Sequence, residues 1–235
     1  MQQRIEYPII INKYLALKKI CSRKESDRLL KAQKIKINGK LAEPGMMVNH
    51  GDKVEAETNN NLVYLAYNKP KWVITHSPQG TERCITDNLK FGQKVFPIGR
   101  LDKSSTGLII LTNDGRITDK LLNPDFYHEK EYEVRVDKPI NAEFVRRMRG
   151  GIKLDDGHIT RRCAAQKIGE SMFAIVLTEG KKHQIRRMTE VLGFKVMDLK
   201  RIRIMNVGIG GLRVGEFRIL KDKELETFLG LLDFG

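Results

Sequence analysis

The sequence is poor in the residues that build secreted or membrane-spanning proteins. Three cysteines, Cys21, Cys84 and Cys163, are scattered over 235 residues. An odd, sparse set makes no disulfide framework and suits a reducing cytosol. No C-x-x-C occurs, and His50, His76, His128, His158 and His183 form no H-x-x-x-H pair. No metal site is therefore expected. No apolar run approaches the ~18 residues of a membrane span. The start, Met1-Gln2-Gln3-Arg4-Ile5-Glu6, lacks the apolar centre of a signal peptide. A cytoplasmic protein with no membrane partner is the expectation. Neither a G-x-x-x-x-G-K-[ST] loop nor a Gly-rich dinucleotide loop is present. Acids are also scarce, 29 Asp+Glu against 43 Lys+Arg, which leaves a net charge of +14. With 40% hydrophobic residues the chain can still fold, so the excess charge points to a polyanionic partner, not to a disordered basic tail.

The charge is uneven. Lys13 to Lys40 holds ten Lys/Arg and two acids. One helix is expected over Asn12 to Ile20. Ser22-Arg23-Lys24-Glu25 reads as the capping box of a second, with Ser at the cap and Glu three residues on. Ile35-Lys36-Ile37 alternates apolar and basic before Asn38-Gly39, a tight hairpin turn. Arg23, Lys24, Arg28, Lys36 and Lys40 thus fall on one small helix-and-hairpin module, dense enough in charge to contact phosphates. For any single lysine, a solvated face is the alternative.

The polar stretch Ala56 to Asn61 reads as a linker between a domain of residues 1–58 and one of residues 59–235. Beyond it, strands are expected at Leu62–Tyr67, Trp72–Thr75, Leu108–Leu111, Glu131–Val136, Ile159–Gln166 and Met172–Leu177. Helices are expected at Arg116–Leu122, Asn141–Arg149, Lys181–Leu192 and Lys223–Leu232. Many strands joined by short turns favour a mostly antiparallel α+β domain with a mixed sheet.

Three stretches in this second part carry chemistry. Gly99-Arg100-Leu101-Asp102-Lys103-Ser104-Ser105-Thr106-Gly107 is a polar loop leading into an apolar strand. Its one carboxylate, Asp102, lies between Arg100 and Lys103, and nearby cations favour the ionised form. Such a group can be a nucleophile, a base or, least readily here, a metal ligand. A turn-capping Asp is the bland alternative. Glu179 to Met188 places Lys181, Lys182, His183, Gln184, Arg186 and Arg187 around a helix start, a natural seat for phosphate. Lys130-Glu131-Tyr132 puts an aromatic in a strand, either as core or as a surface for stacking on a base.

Residues 8–56 resemble the small RNA-binding domain named after protein four of the small ribosomal subunit. The resemblance rests on Asn12-Lys13-Tyr14-Leu15, Cys21-Ser22-Arg23-Lys24-Glu25-Ser26-Asp27 and Ile35-Lys36-Ile37-Asn38-Gly39-Lys40. The whole chain resembles the pseudouridine synthases that join this domain to a catalytic one. Gly99-Arg100-Leu101-Asp102, Lys130-Glu131-Tyr132 and His183-Gln184-Ile185-Arg186-Arg187-Met188 match their motifs in order. Val136 to Ile140 and Arg201 to Val207 are most similar to the F-type branch, which acts on 23S ribosomal RNA. The resemblance implies isomerisation of a uridine in ribosomal RNA, free or within an assembling large subunit, by a monomer that needs no cofactor. By position, Asp102 would be the catalytic carboxylate, Arg186 its partner and Tyr132 the residue against the target base. Arg100 would hold the RNA where the uridine is displaced. Lys181, Lys182, His183, Gln184, Arg187 and the basic module would bind RNA. A non-catalytic RNA-binding or ribosome-assembly factor of the same fold is the alternative.

Overall fold

The computed structural model describes residues 5–58, 61–76 and 82–234. The chain folds into two units, Met1–Val63 with Asn113–Lys120, and Tyr64–Thr112 with Leu121–Gly235.

In the first unit, β1 (Ile9–Ile10) runs into α1 (Ile11–Leu17), followed by α2 (Arg23–Lys31), β2 (Ile35–Ile37), β3 (Lys40–Leu41), β4 (Met47–Val48) and β5 (Val54–Ala56). α1 stops three residues short of Ile20 because Lys19 turns left-handed, at φ 56°. α2 begins where the capping signal put it, with Ser22 Oγ accepting the Glu25 N–H at 3.2 Å. Only half of the capping box forms, since the Glu25 carboxylate binds Arg28 instead. Asn38 and Gly39 both have positive φ, 51° and 78°, the geometry a two-residue hairpin turn requires. β3, β2 and β5 form an antiparallel sheet over a core of Ile11, Leu15, Leu29, Leu30, Ile35 and Val48. Asn113–Lys120 belongs to this unit, although the sequence pattern leaves it with the second domain. Val63 N–H donates to Asn113 Oδ1 at 2.9 Å, and Arg116 Nη1 donates to Lys19 O at 3.1 Å. Of the expected linker, Ala56 ends β5, while Asn59 and Asn60 lie outside the described residues.

The second unit contains β6 (Tyr64–Lys69), β7 (Phe96–Ile98), β8 (Thr106–Thr112), β9 (Lys130–Val136), α4 (Ala142–Gly150), β10 (Ala164–Gly169), β11 (Met172–Leu177), α5 (Gln184–Val191), β12 (Val196–Ile204), β13 (Val207–Gly208), β14 (Phe217–Ile219) and α6 (Asp222–Leu231). The helix at Ile117–Leu122, α3, follows β8 in the chain. Among the described residues the strands form one sheet in the order β10-β11-β9-β12-β8-β6-β14, with β13 beside β12 and β7 beside β8. Every pair is antiparallel except β12 and β8. That one parallel pairing demands a glycine. Gly107 has φ +109°, and a Cβ there would stand 2.2 Å from Arg201 O.

α4 and α5 bury Phe144, Val145, Met148, Ile185 and Met188 with Val134, Val136, Phe173 and Ile175 of the sheet. α4 is capped as its sequence predicts, with Asn141 Oδ1 accepting the Phe144 N–H at 2.9 Å. α6 packs Phe228 edge-on against Tyr64. Because β6 is covered on both faces, all six of its residues are buried and no alternation shows.

Three expectations are corrected. Trp72–Thr75 is not a strand: it is a turn at Trp72, φ 66°, then a single bridge at Ile74. Ile159 to Cys163 stays outside β10. α5 starts at Gln184, not Lys181, because His183 is left-handed, at φ 54°. Cys21 and Cys84 are buried and Cys163 half-buried, all as free thiols. Burial pushes Cys21 and Cys163 up to about 11. No described helix is long and apolar enough to cross a membrane.

Candidate active site

β7 ends at Ile98, paired with Ile110 of β8. The next stretch of that β8 edge is occupied by β12, at Thr106 and Gly107. The intervening chain, residues 99–105, has no room in the sheet and is expelled from it, which lifts Asp102 clear of the strands. A second segment holds the expelled loop. Trp72 N–H donates to Lys103 O at 2.7 Å, Thr75 Oγ1 donates to Leu101 O at 3.0 Å, and His76 Nε2 lies 3.2 Å from Gly99 O. Within the loop, Ser105 N–H closes a turn on Asp102 O at 3.0 Å.

Asp102 is half-buried, and the nitrogen groups facing it come from the α5 region. His183 Nε2 stands 3.6 Å from Oδ1 and Arg186 Nε 3.9 Å from Oδ2. Arg186 is fixed by its other nitrogens. Nη2 donates to Ser104 Oγ at 3.0 Å and Ser105 Oγ at 3.2 Å, and Nη1 to Val196 O at 3.4 Å. One planar guanidinium therefore reads both the carboxylate and the turn that presents it. The cations expected from sequence adjacency are placed otherwise: Lys103 pairs with Glu82 at 2.7 Å, and Arg100 is exposed.

Below the loop, cross-strand register aligns Lys69, Gly107, Arg201, Tyr132 and Ile175 in one row. Tyr132 is 9% exposed and shares a core with Leu101, the neighbour of Asp102. Lys69 is fully buried, its Nζ donating to Pro70 O at 2.9 Å and Val73 O at 2.7 Å. Burial pushes its ammonium down to about 8, against an opposing pull from Asp102. Lys130, two residues before Tyr132, is also pushed down to about 8, by burial and by the Arg201 charge. Arg201 is 4% exposed and donates through Nε to Leu108 O at 2.7 Å.

Residues 63–191 match the family model described as RNA pseudouridylate synthase, and residues 11–54 match that of the S4 domain. Dual-specificity RNA pseudouridine synthase RluF of Escherichia coli K12 is 42% identical over 230 residues, covering 95% of this chain and 79% of that protein. The chain belongs to the RNA pseudouridine synthases. Ribosomal large subunit pseudouridine synthase B of Bacillus subtilis is 32% identical, with 96% and 97% of the two chains covered. A crystal structure of pseudouridylate synthase superimposes with a TM-score of 0.70 at 24% identity, over 95% of this chain and 99% of that one, so the fold is shared.

The synthase brings Asp102, Arg186 and His183 together, and His183 thus faces the carboxylate as well as solvent. Other expected RNA contacts are placed differently. Gln184 is buried and committed, with Nε2 donating to Glu179 Oε1 at 2.7 Å and Oε1 accepting the Lys181 N–H at 2.9 Å. Glu179 also accepts the Arg161 N–H at 2.9 Å, so this pair knots the end of the β11 segment to the start of α5. Arg187 clasps Asp155 and Asp156. Lys181 and Lys182 are exposed. In the first unit Arg23, Lys24, Arg28, Lys36 and Lys40 are all exposed, but Arg28 is paired with Glu25. Lys36 stands opposite Leu41 and Glu55 while Lys40 stands opposite Ile37, so the two hairpin lysines point to opposite faces. Residue patterns missed Lys69, Ser104, Ser105 and Thr75. A lysine two residues past the apolar run Leu62–Tyr67 was the available signal for the first.

Proposed function

We propose that this synthase converts a specific uridine of ribosomal RNA, in the 23S molecule, to pseudouridine, working as a cytoplasmic monomer with Asp102 as the reacting carboxylate. The carrying observation is the placement of Asp102: half-exposed on a loop expelled from the sheet, pinned by residues 72–76 and faced by Arg186 and His183. A pre-set carboxylate suits a reaction at the sugar carbon C1′. The N1–C1′ bond breaks, the uracil turns, a C5–C1′ bond forms, and the hydrogen of C5 leaves to solvent while N1 gains one. Asp102 either attacks C1′ or supports a glycal route. The target base must leave its stack, which costs a few kcal/mol unless it is already unpaired. Arg186 positions Asp102, and Tyr132 supports the uracil from the sheet. The basic first unit, matched to the S4 domain, captures the RNA backbone. The names of the relatives, which specify RNA and the large ribosomal subunit, support the choice of substrate. The reaction as written balances without an oxidant, reductant or energy donor, so no cofactor enters the proposal.

The test is release of tritium from C5 of labelled uridine in unmodified 23S transcript. Wild type should release it, and Asp102→Asn, nearly isosteric, should bind the RNA and release none. Asp102→Asn working within tenfold of wild type would remove the assignment.

A further inference from the structure

Trp72 is the one tryptophan of the chain, and it is 66% exposed. A single exposed apolar side chain is ordinary on a protein surface. This one is not placed as an ordinary side chain would be. Its backbone has φ +66°, a conformation that glycine adopts freely and a bulky residue rarely does. The turn that carries it is clamped on both sides. Lys69 Nζ binds Pro70 O and Val73 O, the carbonyls two residues before and one after, at 2.9 and 2.7 Å. Trp72's own N–H donates to Lys103 O at 2.7 Å, which ties the residue to the immediate neighbour of Asp102. The chain thus spends a buried lysine on holding an indole out in solvent beside the candidate catalytic loop. Its partner Lys103 is exposed and pairs with Glu82, Lys71 just before it binds Asp198, and the loop that holds Lys103 also carries the exposed Arg100. Exposed aromatic faces among cations are the features by which proteins hold unpaired bases without reading their sequence by hydrogen bonds.

We propose that Trp72 is a stacking platform for an unpaired base flanking the target uridine, and so a binding residue of the substrate RNA distinct from Asp102, Arg186 and Tyr132. The proposal rests on the synthase reading given above. It adds a contact that fixes the register of the RNA strand: with a neighbouring base held on the indole, the nucleotide presented to Asp102 is set by distance along the backbone.

The sole tryptophan makes the test direct. The probe is the shortest fragment of unmodified 23S transcript that wild type isomerises, scored by tritium release. Titrating it into wild type should quench the indole emission along the binding isotherm. Trp72→Gly, which fits the turn, should fold at least as stably and weaken RNA binding by about 5- to 150-fold. Its single-turnover rate at saturating RNA should stay within a few-fold of wild type, and Trp72→Phe should recover most of the affinity. Emission unchanged at saturating RNA, or a Trp72→Gly affinity equal to wild type, would overturn the platform. If tritium release by wild type persists in that case, the synthase reading stands without it. If no transcript is turned over, the synthase reading itself falls.

Discussion

Gly107→Ala offers the sharpest physical test of how the sheet holds the active loop. The added methyl would lie 2.2 Å from Arg201 O, 2.6 Å from Arg201 N and 2.9 Å from Arg201 C. All three are backbone atoms, so no side chain can swing away, and β8 and β12 must part by roughly 1 Å to restore ordinary contact. Overpacking of this kind costs about 1–3 kcal/mol. Holding alanine at a left-handed φ adds about 1–2 kcal/mol. The total, about 2–5 kcal/mol, is a large share of the roughly 5–15 kcal/mol that stabilises a typical domain. Urea unfolding followed by circular dichroism should show the midpoint of the sheet's transition falling by roughly 1–3 M. The surviving folded molecules should also be slow. A shift of about 1 Å in β8 carries Asp102 away from Arg186, and misplacement on that scale costs ~10²-fold in rate. A variant with the wild-type midpoint, or a destabilised one with the wild-type rate, would refute the idea that this parallel pairing sets the loop.

Arg186→Lys keeps a positive charge but loses the fork that joins Asp102 to Ser104 and Ser105. Single-turnover rate should drop ~10²-fold with RNA affinity little changed, and a wild-type rate would show that the positioning lies elsewhere. Tyr132→Phe preserves the packing against Leu101 and removes only the hydroxyl. A fall of ~10²–10⁴-fold would assign that oxygen a proton-transfer or orienting role, which is the expected result, whereas an unchanged rate would leave Tyr132 a packing residue. Lys69 should give stability an unusual pH dependence. Between about 8 and its ordinary value of 10.5 the folded protein holds Lys69 neutral while the unfolded chain still binds the proton. Its contribution to stability therefore rises with pH across that window, by up to about 1.4 kcal/mol per pH unit. Cys21 and Cys163, held protonated to about 11, act in the opposite direction above about 9. Lys130, also pushed down to about 8, adds a rise of the same sign, so Lys69→Met should reduce the climb of the urea midpoint between about pH 8 and 9 without abolishing it, and an unaltered pH profile would count against a buried ammonium.

The first unit was legible because its signals are local. Ser22 capping α2 and Asn38-Gly39 closing the hairpin are decided within four residues, and both appear as read. β12 was illegible for a definite reason. Its buried residues, Val196, Leu199, Arg201 and Ile204, are spaced three, two and three apart. Irregularities after Val196 and after Arg201 break the alternation by which a strand is recognised, and a buried arginine looks like surface. The expelled loop could be picked out from Gly99-Arg100-Leu101-Asp102, but its supports could not. Thr75, Lys69 and Trp72 lie about thirty residues upstream, and only the fold brings them alongside. The partners of Gln184 and Arg187 were hidden for the same kind of reason, since the acidic Glu179, Asp155 and Asp156 become their neighbours only when α5 has docked.

The thiols have a bearing on how the enzyme weathers chemical stress. Burial holds Cys21 and Cys163 protonated well above neutral pH, and Cys84 lies inside. Peroxides and alkylating electrophiles act on thiolates, so the native protein presents them almost nothing to attack. Turnover should survive incubation with iodoacetamide, and the uridine it serves would go on being modified while thiol-dependent enzymes in the same cell are silenced.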